Sequence, residues 1–151
     1  MRRSPRLLLG IERRLKEVCS TFDSTLEAVD AAEESVRVFA RGAGFGEQDV
    51  YFMGLAAREI LINAVVHGNG FDVNKKVTLR LCWELGCLSV EVLDEGDGFR
   101  LEAVPDPRLQ ENRERWSGRG VAIARQVMDE FHVEKNLPRG ACVRMVKRLK
   151  V

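Results

Sequence analysis

Glu59 and Asn63 stand one helical turn apart in the segment Glu59-Ile60-Leu61-Ile62-Asn63-Ala64-Val65-Val66-His67-Gly68. On a helix they share a face, and His67 follows a turn later with a modest drift. A carboxylate beside an amide oxygen suits a hydrated Mg2+, which prefers hard oxygen ligands and keeps several waters. The same carboxylate can take a proton from an attacking hydroxyl. Taken alone, the segment reads first as the polar stripe of a solvated helix. A second segment, Asp94-Glu95-Gly96-Asp97-Gly98-Phe99, follows a run of alternating apolar residues. Its glycines let the backbone come close to a ligand, and an Asp at a strand end can accept a hydrogen bond from an exocyclic amine. By itself an acidic, glycine-rich turn is first of all a turn, and the ligand spacing of an EF-hand loop is not met. A third segment, Ser117-Gly118-Arg119-Gly120, opens a helical pattern. Free N–H groups at a helix N-terminus favour phosphate. A lone GxG is weak, however: the run Gly118-Arg119-Gly120-Val121-Ala122-Ile123 lacks the last glycine of G-x-G-x-x-G, and no Walker A loop occurs. The glycine turn Arg139-Gly140-Ala141-Cys142-Val143-Arg144 needs no chemistry to explain it.

The elements that must position these residues follow from periodicity. Residues 15–21 read as a first strand after a basic N-terminus. Ser24-Thr25-Leu26-Glu27 has the spacing of a capping box with Ser24 as the cap. Leu26, Val29, Val36, Phe39 and Ala40 then recur at helical spacing as far as Arg41, and the glycines from Gly42 to Gly46 stop the helix. A second helix is predicted over 48–67, with Val50, Met53, Ala57, Ile60, Leu61, Ala64 and Val65 inward. Strands over 77–83 and 88–94 alternate cleanly around a Leu85-Gly86 hairpin turn. The pattern then collapses from Glu95 to Arg119, a stretch with Pro105, Pro107 and the charged run Glu111-Asn112-Arg113-Glu114-Arg115. Structureless stretches of this length inside a domain are often lids or binding loops. A third helix over 120–130 and strands over 131–135 and 141–149 close the chain. This order predicts an α+β sandwich, helices on one face of a mostly antiparallel or mixed sheet.

Composition limits the function classes. The chain has 151 residues, enough for one domain. Lys+Arg 24 against Asp+Glu 23 leaves a net charge of +1, which gives no footprint for direct nucleic-acid binding by bulk electrostatics. At 45% hydrophobic residues the chain can build a core. No uninterrupted apolar run approaches the ~20 residues of a membrane span, and no signal-peptide pattern is read at the N-terminus. Cys19, Cys82, Cys87 and Cys142 form no CxxC pair, and the two histidines do not complete a zinc set. Reduced thiols in a cytoplasmic protein are therefore expected.

An acid-and-amide helix, then DEGDG after a strand, then a GxG helix start, resembles the GHKL, or Bergerat-type, ATP-binding fold of the histidine kinase-like ATPases. The likeness runs over roughly residues 15–147 and is greatest to the bacterial anti-sigma-factor serine/threonine kinases. The resemblance implies a two-layer Bergerat fold over 15–151, a basic extension over 1–14 and an ATP lid over about 99–119. It implies ATP and Mg2+, with Asn63 on the metal and Glu59 as the catalytic base. Asp94 would accept from the adenine amino group, Gly96 and Gly98 would wall the adenine pocket, and Gly118, Arg119 and Gly120 would meet the phosphates. Arg113 and Arg115 would be either γ-phosphate contacts from the lid or a solvated charge run. One position departs from the family: the threonine common after the glycine of the last hairpin is Ala141 here. The implied function is transfer of the ATP γ-phosphate to a Ser/Thr of an STAS-type anti-anti-sigma protein, with sequestration of a sigma factor. A cytoplasmic homodimer without nucleic-acid or membrane contact is implied as well. The alternative is a non-catalytic, nucleotide-dependent partner-binding module. A histidine-phosphorylating kinase is disfavoured, because His67 and His132 do not lie on a helical hairpin that would carry the acceptor.

Overall fold

The computed structural model describes residues 16–96 and 118–150. The expectations for 1–14 and for 99–117 lie outside these residues. Strand β1 (Lys16–Asp23) leads into helix α1 (Leu26–Ala43), and helix α2 (Glu47–Asn63) runs on into a π turn (Ala64–Gly68). Strands β2 (Lys76–Glu84) and β3 (Cys87–Leu93) follow, then helix α3 (Gly118–Val127) and strands β4 (Glu130–Lys135) and β5 (Ala141–Arg148). The five strands form one sheet in the order β1-β2-β3-β5-β4. Every neighbouring pair is antiparallel, so the open choice between antiparallel and mixed resolves to antiparallel.

One face of the sheet carries the core. Val77, Leu79 and Leu81 on β2, Leu88, Val90 and Val92 on β3, and Met145 on β5 are buried on that side, as alternation requires. Against them α1 lays Val29, Ala32, Val36 and Ala40, a single helical stripe. Helix α2 adds Val50, Met53, Ala57, Ile60 and Leu61, and α3 adds Val121 and Ala124. With its π turn, α2 covers 22 residues at mean hydropathy 1.3 in its most apolar window, long and apolar enough to cross a membrane by that measure. Here its apolar side is spent on the sheet and on the neighbouring helices.

Local signals were displaced in three places. The cap of α1 is Thr25, not Ser24: Thr25 Oγ1 accepts from the Ala28 N–H at 3.1 Å. Ser24 is drawn away because its buried hydroxyl donates to the Lys75 carbonyl. Leu26, placed on the apolar stripe by spacing, lies in the first turn and is exposed. The last turn of the second helix is π rather than α: Asn69 N–H bonds to Ala64 O at 2.7 Å. Such turns recur at functional sites.

Removing the true cap should register in stability. Thr25→Ala is expected to cost about 1 kcal/mol, a fall of roughly 2–4 °C in Tm for a chain of this size. Thermal melting by circular dichroism checks it, and an unchanged Tm would contradict the cap assignment.

Candidate functional site

Three strands build the floor of a cleft between the sheet and α2. Val92 on β3 pairs with Val143 on β5, which pairs with Val133 on β4, so three valines form one row across the sheet. Phe131 continues this floor, while Ile60 and Ala64 from α2 and its π turn, with Val121 from α3, form the other wall. The empty volume is about 500 Å³, counting the open mouth. The side chains lining it are apolar with two exceptions, Asn63 and Asp94. These two come from the first two segments singled out in the sequence.

Asp94 leaves the end of β3 and is 5% exposed. Its Oδ1 accepts from the Gly96 N–H at 3.0 Å and from the Ala141 N–H at 3.1 Å. Among the described residues both hydrogen bonds to this carboxylate fall on Oδ1, and Oδ2 lies against Gly68. Gly68, Gly96 and Gly140 pack so closely here that a methyl on Gly68 would overlap Asp94 Oδ2, and one on Gly140 would overlap the Asp94 carbonyl. Gly140 also has φ +106°, which favours glycine on its own account. Burial pushes the Asp94 carboxyl above its ordinary pKa, while the two backbone N–H groups and Lys75 pull it down. Cys142, beside Ala141 on β5, is likewise raised by burial, to about 11, so its thiol stays protonated and is a poor nucleophile.

Asn63 closes α2, and its Oδ1 is buried without a hydrogen-bond partner among the described residues. Buried polar atoms are rarely left so. Glu59, one turn earlier, is half-buried and packs against α3: a Cβ on Gly120 would lie 2.7 Å from Glu59 Oε2 and 2.9 Å from its Cβ. Gly120 is thus a close approach that brings the start of α3 onto Glu59. Gly118 and Arg119 form the first turn of α3. The structure therefore places Asn63 and Asp94 in the lining of the cleft, with Gly96 packed on Gly68 beside Asp94, and with Glu59 in contact with Gly120 one helical turn before Asn63. Gly98, Arg113 and Arg115 lie outside the described residues. Ala141 shares the Val143 side of β5, so the missing threonine hydroxyl would have stood next to Asp94.

Four residues of the site were not singled out from the sequence as site residues. Gly68 entered only as the last residue of the Glu59–Gly68 segment, with no role of its own, and Gly140 only as a turn. Asn69 and Asn136 hold the Asp94 turn through contacts far apart in the chain: Asn69 Oδ1 accepts from Glu95 N–H, and Asn136 Nδ2 donates to Asp94 O, both at 2.8 Å.

Over residues 22–147 the chain matches the family described as histidine kinase-like ATPase domain. It is 32% identical over 93 residues to an anti-sigma F factor of Geobacillus kaustophilus, covering 60% of this chain and 64% of that protein. Against an anti-sigma F factor of Geobacillus stearothermophilus it is 33% identical over 91 residues, 59% and 62% of the two. The matched part thus spans a little under two thirds of these relatives. Among solved structures, the RsbU and RsbW domains of a Mycobacterium tuberculosis protein superpose with TM-score 0.65 at 20% identity, covering 89% of this chain and 32% of that one. The mycobacterial sensor histidine kinase MprB superposes with TM-score 0.53 at 20% identity, covering 87% of this chain and 100% of that one. Both share the fold.

The buried carboxylate has a consequence for stability. A carboxyl whose folded pKa is raised destabilises the fold once ionised, and that cost fades as pH falls through the folded pKa. Asp94→Asn removes the charge but keeps an oxygen for Gly96 and Ala141. Its Tm without ligand is expected above wild type at pH 7, with the gap closing as acid protonates Asp94. Melting curves across pH check this; a variant less stable than wild type at every pH would contradict it.

Proposed function

This chain belongs to the histidine kinase-like ATPase domain family, and from that premise we propose that it binds ATP in the Asn63–Asp94 cleft and acts as an anti-sigma-factor serine/threonine kinase. The observation that carries the nucleotide reading is the pairing, in one apolar cleft, of a carboxylate oxygen and a buried amide oxygen that have no hydrogen-bond donor among the described residues. In this reading a flat, apolar base lies against the valine floor, facing Ile60. Adenine offers an amino N–H to Asp94 Oδ2, whereas guanine presents a carbonyl oxygen there and would leave two acceptors face to face. The two anti-sigma F factor relatives support the regulatory role.

The donors fit Mg2+. Asn63 Oδ1 is a hard oxygen awaiting a partner, with the Glu59 carboxylate one turn away. Among the described residues no group of three or more His, Cys, Asp and Glu could hold a metal. Asn63 would therefore hold the ion together with phosphate oxygens and water, the usual arrangement for Mg2+. When bound, the ion neutralises charge on the phosphates. In this reading Gly118, Arg119 and Gly120, at the N-terminus of α3, meet the same phosphates, since a helix N-terminus favours an anion. In this reading Glu59 takes the proton of a substrate Ser or Thr hydroxyl as the hydroxyl oxygen attacks the γ-phosphorus and ADP leaves. The substrate is an STAS-type anti-anti-sigma protein, the sequestered partner a sigma factor, and the working unit a cytoplasmic homodimer.

Calorimetric titration with ATP, ADP and GTP, with and without Mg2+, tests the pocket. ATP is expected to bind, with GTP at least ~10-fold weaker, because an unpaired buried acceptor costs about 1–3 kcal/mol. Asn63→Ala should lose the Mg2+ dependence. In a phosphoryl-transfer assay with an STAS-type protein, Glu59→Gln should keep ATP affinity and lower the rate by about 10²–10⁴-fold. Binding without transfer in the wild type would leave the nucleotide-dependent binding module in its place; no binding of ATP would overturn the reading.

A further inference from the structure

Two asparagine side chains converge on a single peptide group. The bond joining Asp94 to Glu95 has its carbonyl oxygen bound by Asn136 Nδ2 at 2.8 Å, and its N–H donates to Asn69 Oδ1 at 2.8 Å. The two residues reach it from separate parts of the fold, Asn69 from just beyond the π turn and Asn136 from the β4–β5 turn.

Both clamps are themselves held. Asn69 is 3% exposed. Its Nδ2 donates to Ser24 Oγ at 2.9 Å and to Lys76 O at 3.0 Å, and its own N–H bonds to Ala64 O. With acceptors on one side and a donor on the other, its amide has only one satisfied orientation. Asn136 N–H bonds to Gly140 O at 3.0 Å, closing the turn, and Arg139 Nε donates to Gly96 O at 3.2 Å.

The clamped peptide lies inside the ring closed by Gly96 N–H and Asp94 Oδ1, an Asx turn. Rotation of that peptide would break the ring and release the carboxylate to turn. Held, Oδ1 is used up by Gly96 and Ala141, and only Oδ2 is presented to the cleft. We infer that Asn69 and Asn136 are positioning residues that clamp the Asp94–Glu95 peptide and so aim one oxygen of Asp94 at the bound base. The aim at a base rests on the nucleotide reading above; the clamp does not.

The test uses Asn136→Ala, a half-buried residue of an exposed turn, rather than the fully buried Asn69. In the protein without nucleotide, amide hydrogen exchange by NMR should accelerate by about 10-fold or more at Gly96 and Ala141, with Leu81 and Val90 in the central strands unchanged. No change at Gly96 and Ala141, or an equal rise everywhere, would overturn the clamp. The second readout compares ATP with purine riboside triphosphate, which lacks the 6-amino group. The variant should weaken ATP by about 10-fold, the worth of one well-aimed hydrogen bond to a charged group, and leave the purine analogue unaffected. Equal weakening of both, or of neither, would overturn the action through Asp94. If wild type binds neither nucleotide, the ATP reading falls, and the exchange rates alone decide the clamp.

Discussion

A carboxylate held at the edge of an apolar cleft is the constraint on which the site depends. Asp94 gives up most of its hydration, and burial opposes its charge. Full satisfaction of both oxygens would remove that cost but leave nothing to recognise a ligand. The fold resolves the conflict by dividing the group. One oxygen receives two backbone N–H groups; the other has no donor among the described residues, and in the nucleotide reading it takes one from the ligand. Such a division needs backbone, not side chains, packed against the carboxylate. Glycine at 68, 96 and 140 is what permits it.

The same elements serve packing and site together. The row Val92–Val143–Val133 is both a sheet register and the floor of the cleft. Helix α2 buries one stripe in the core and from the same turns carries Asn63 into the cleft and Glu59 onto α3. Its π turn, closed by the Asn69 N–H, sets Gly68 against Asp94 and turns Asn69 inward to the Asp94–Glu95 peptide. Helix α3 approaches closely enough to touch Glu59 only because residue 120 has no Cβ. A stabilising substitution at any of these points would act on the site as well, so stability and recognition are coupled through a few residues.

Much of this was legible in the sequence, because the signals were local. Alternation placed β2 and β3, helical spacing placed Val29, Val36 and Ala40, and the order of elements gave the two-layer architecture. Glu59 and Asn63 were legible as one helix face, and Asp94 as a strand-end acid. What escaped was decided by distant partners. Ser24 matched a capping box, but Lys75 and Asn69 compete for its hydroxyl from across the fold. Nothing near Asn69 or Asn136 marks them, since their partners at Glu95 and Asp94 are remote in the chain. The π turn also had no local mark, because a helical pattern continues through Val65 and Val66 whichever hydrogen-bond register closes it.

In the nucleotide reading, a purine amino group relieves the cost of burying the Asp94 carboxylate. The pKa of its carboxyl, followed by carbon NMR with and without nucleotide, measures this directly. A raised value is expected in the free protein and a fall when ATP binds, since the ligand's N–H favours the ionised form, with no such fall for purine riboside triphosphate. An Asp94 pKa at the ordinary carboxylate value in the free protein, or one indifferent to ATP at saturation, would contradict it.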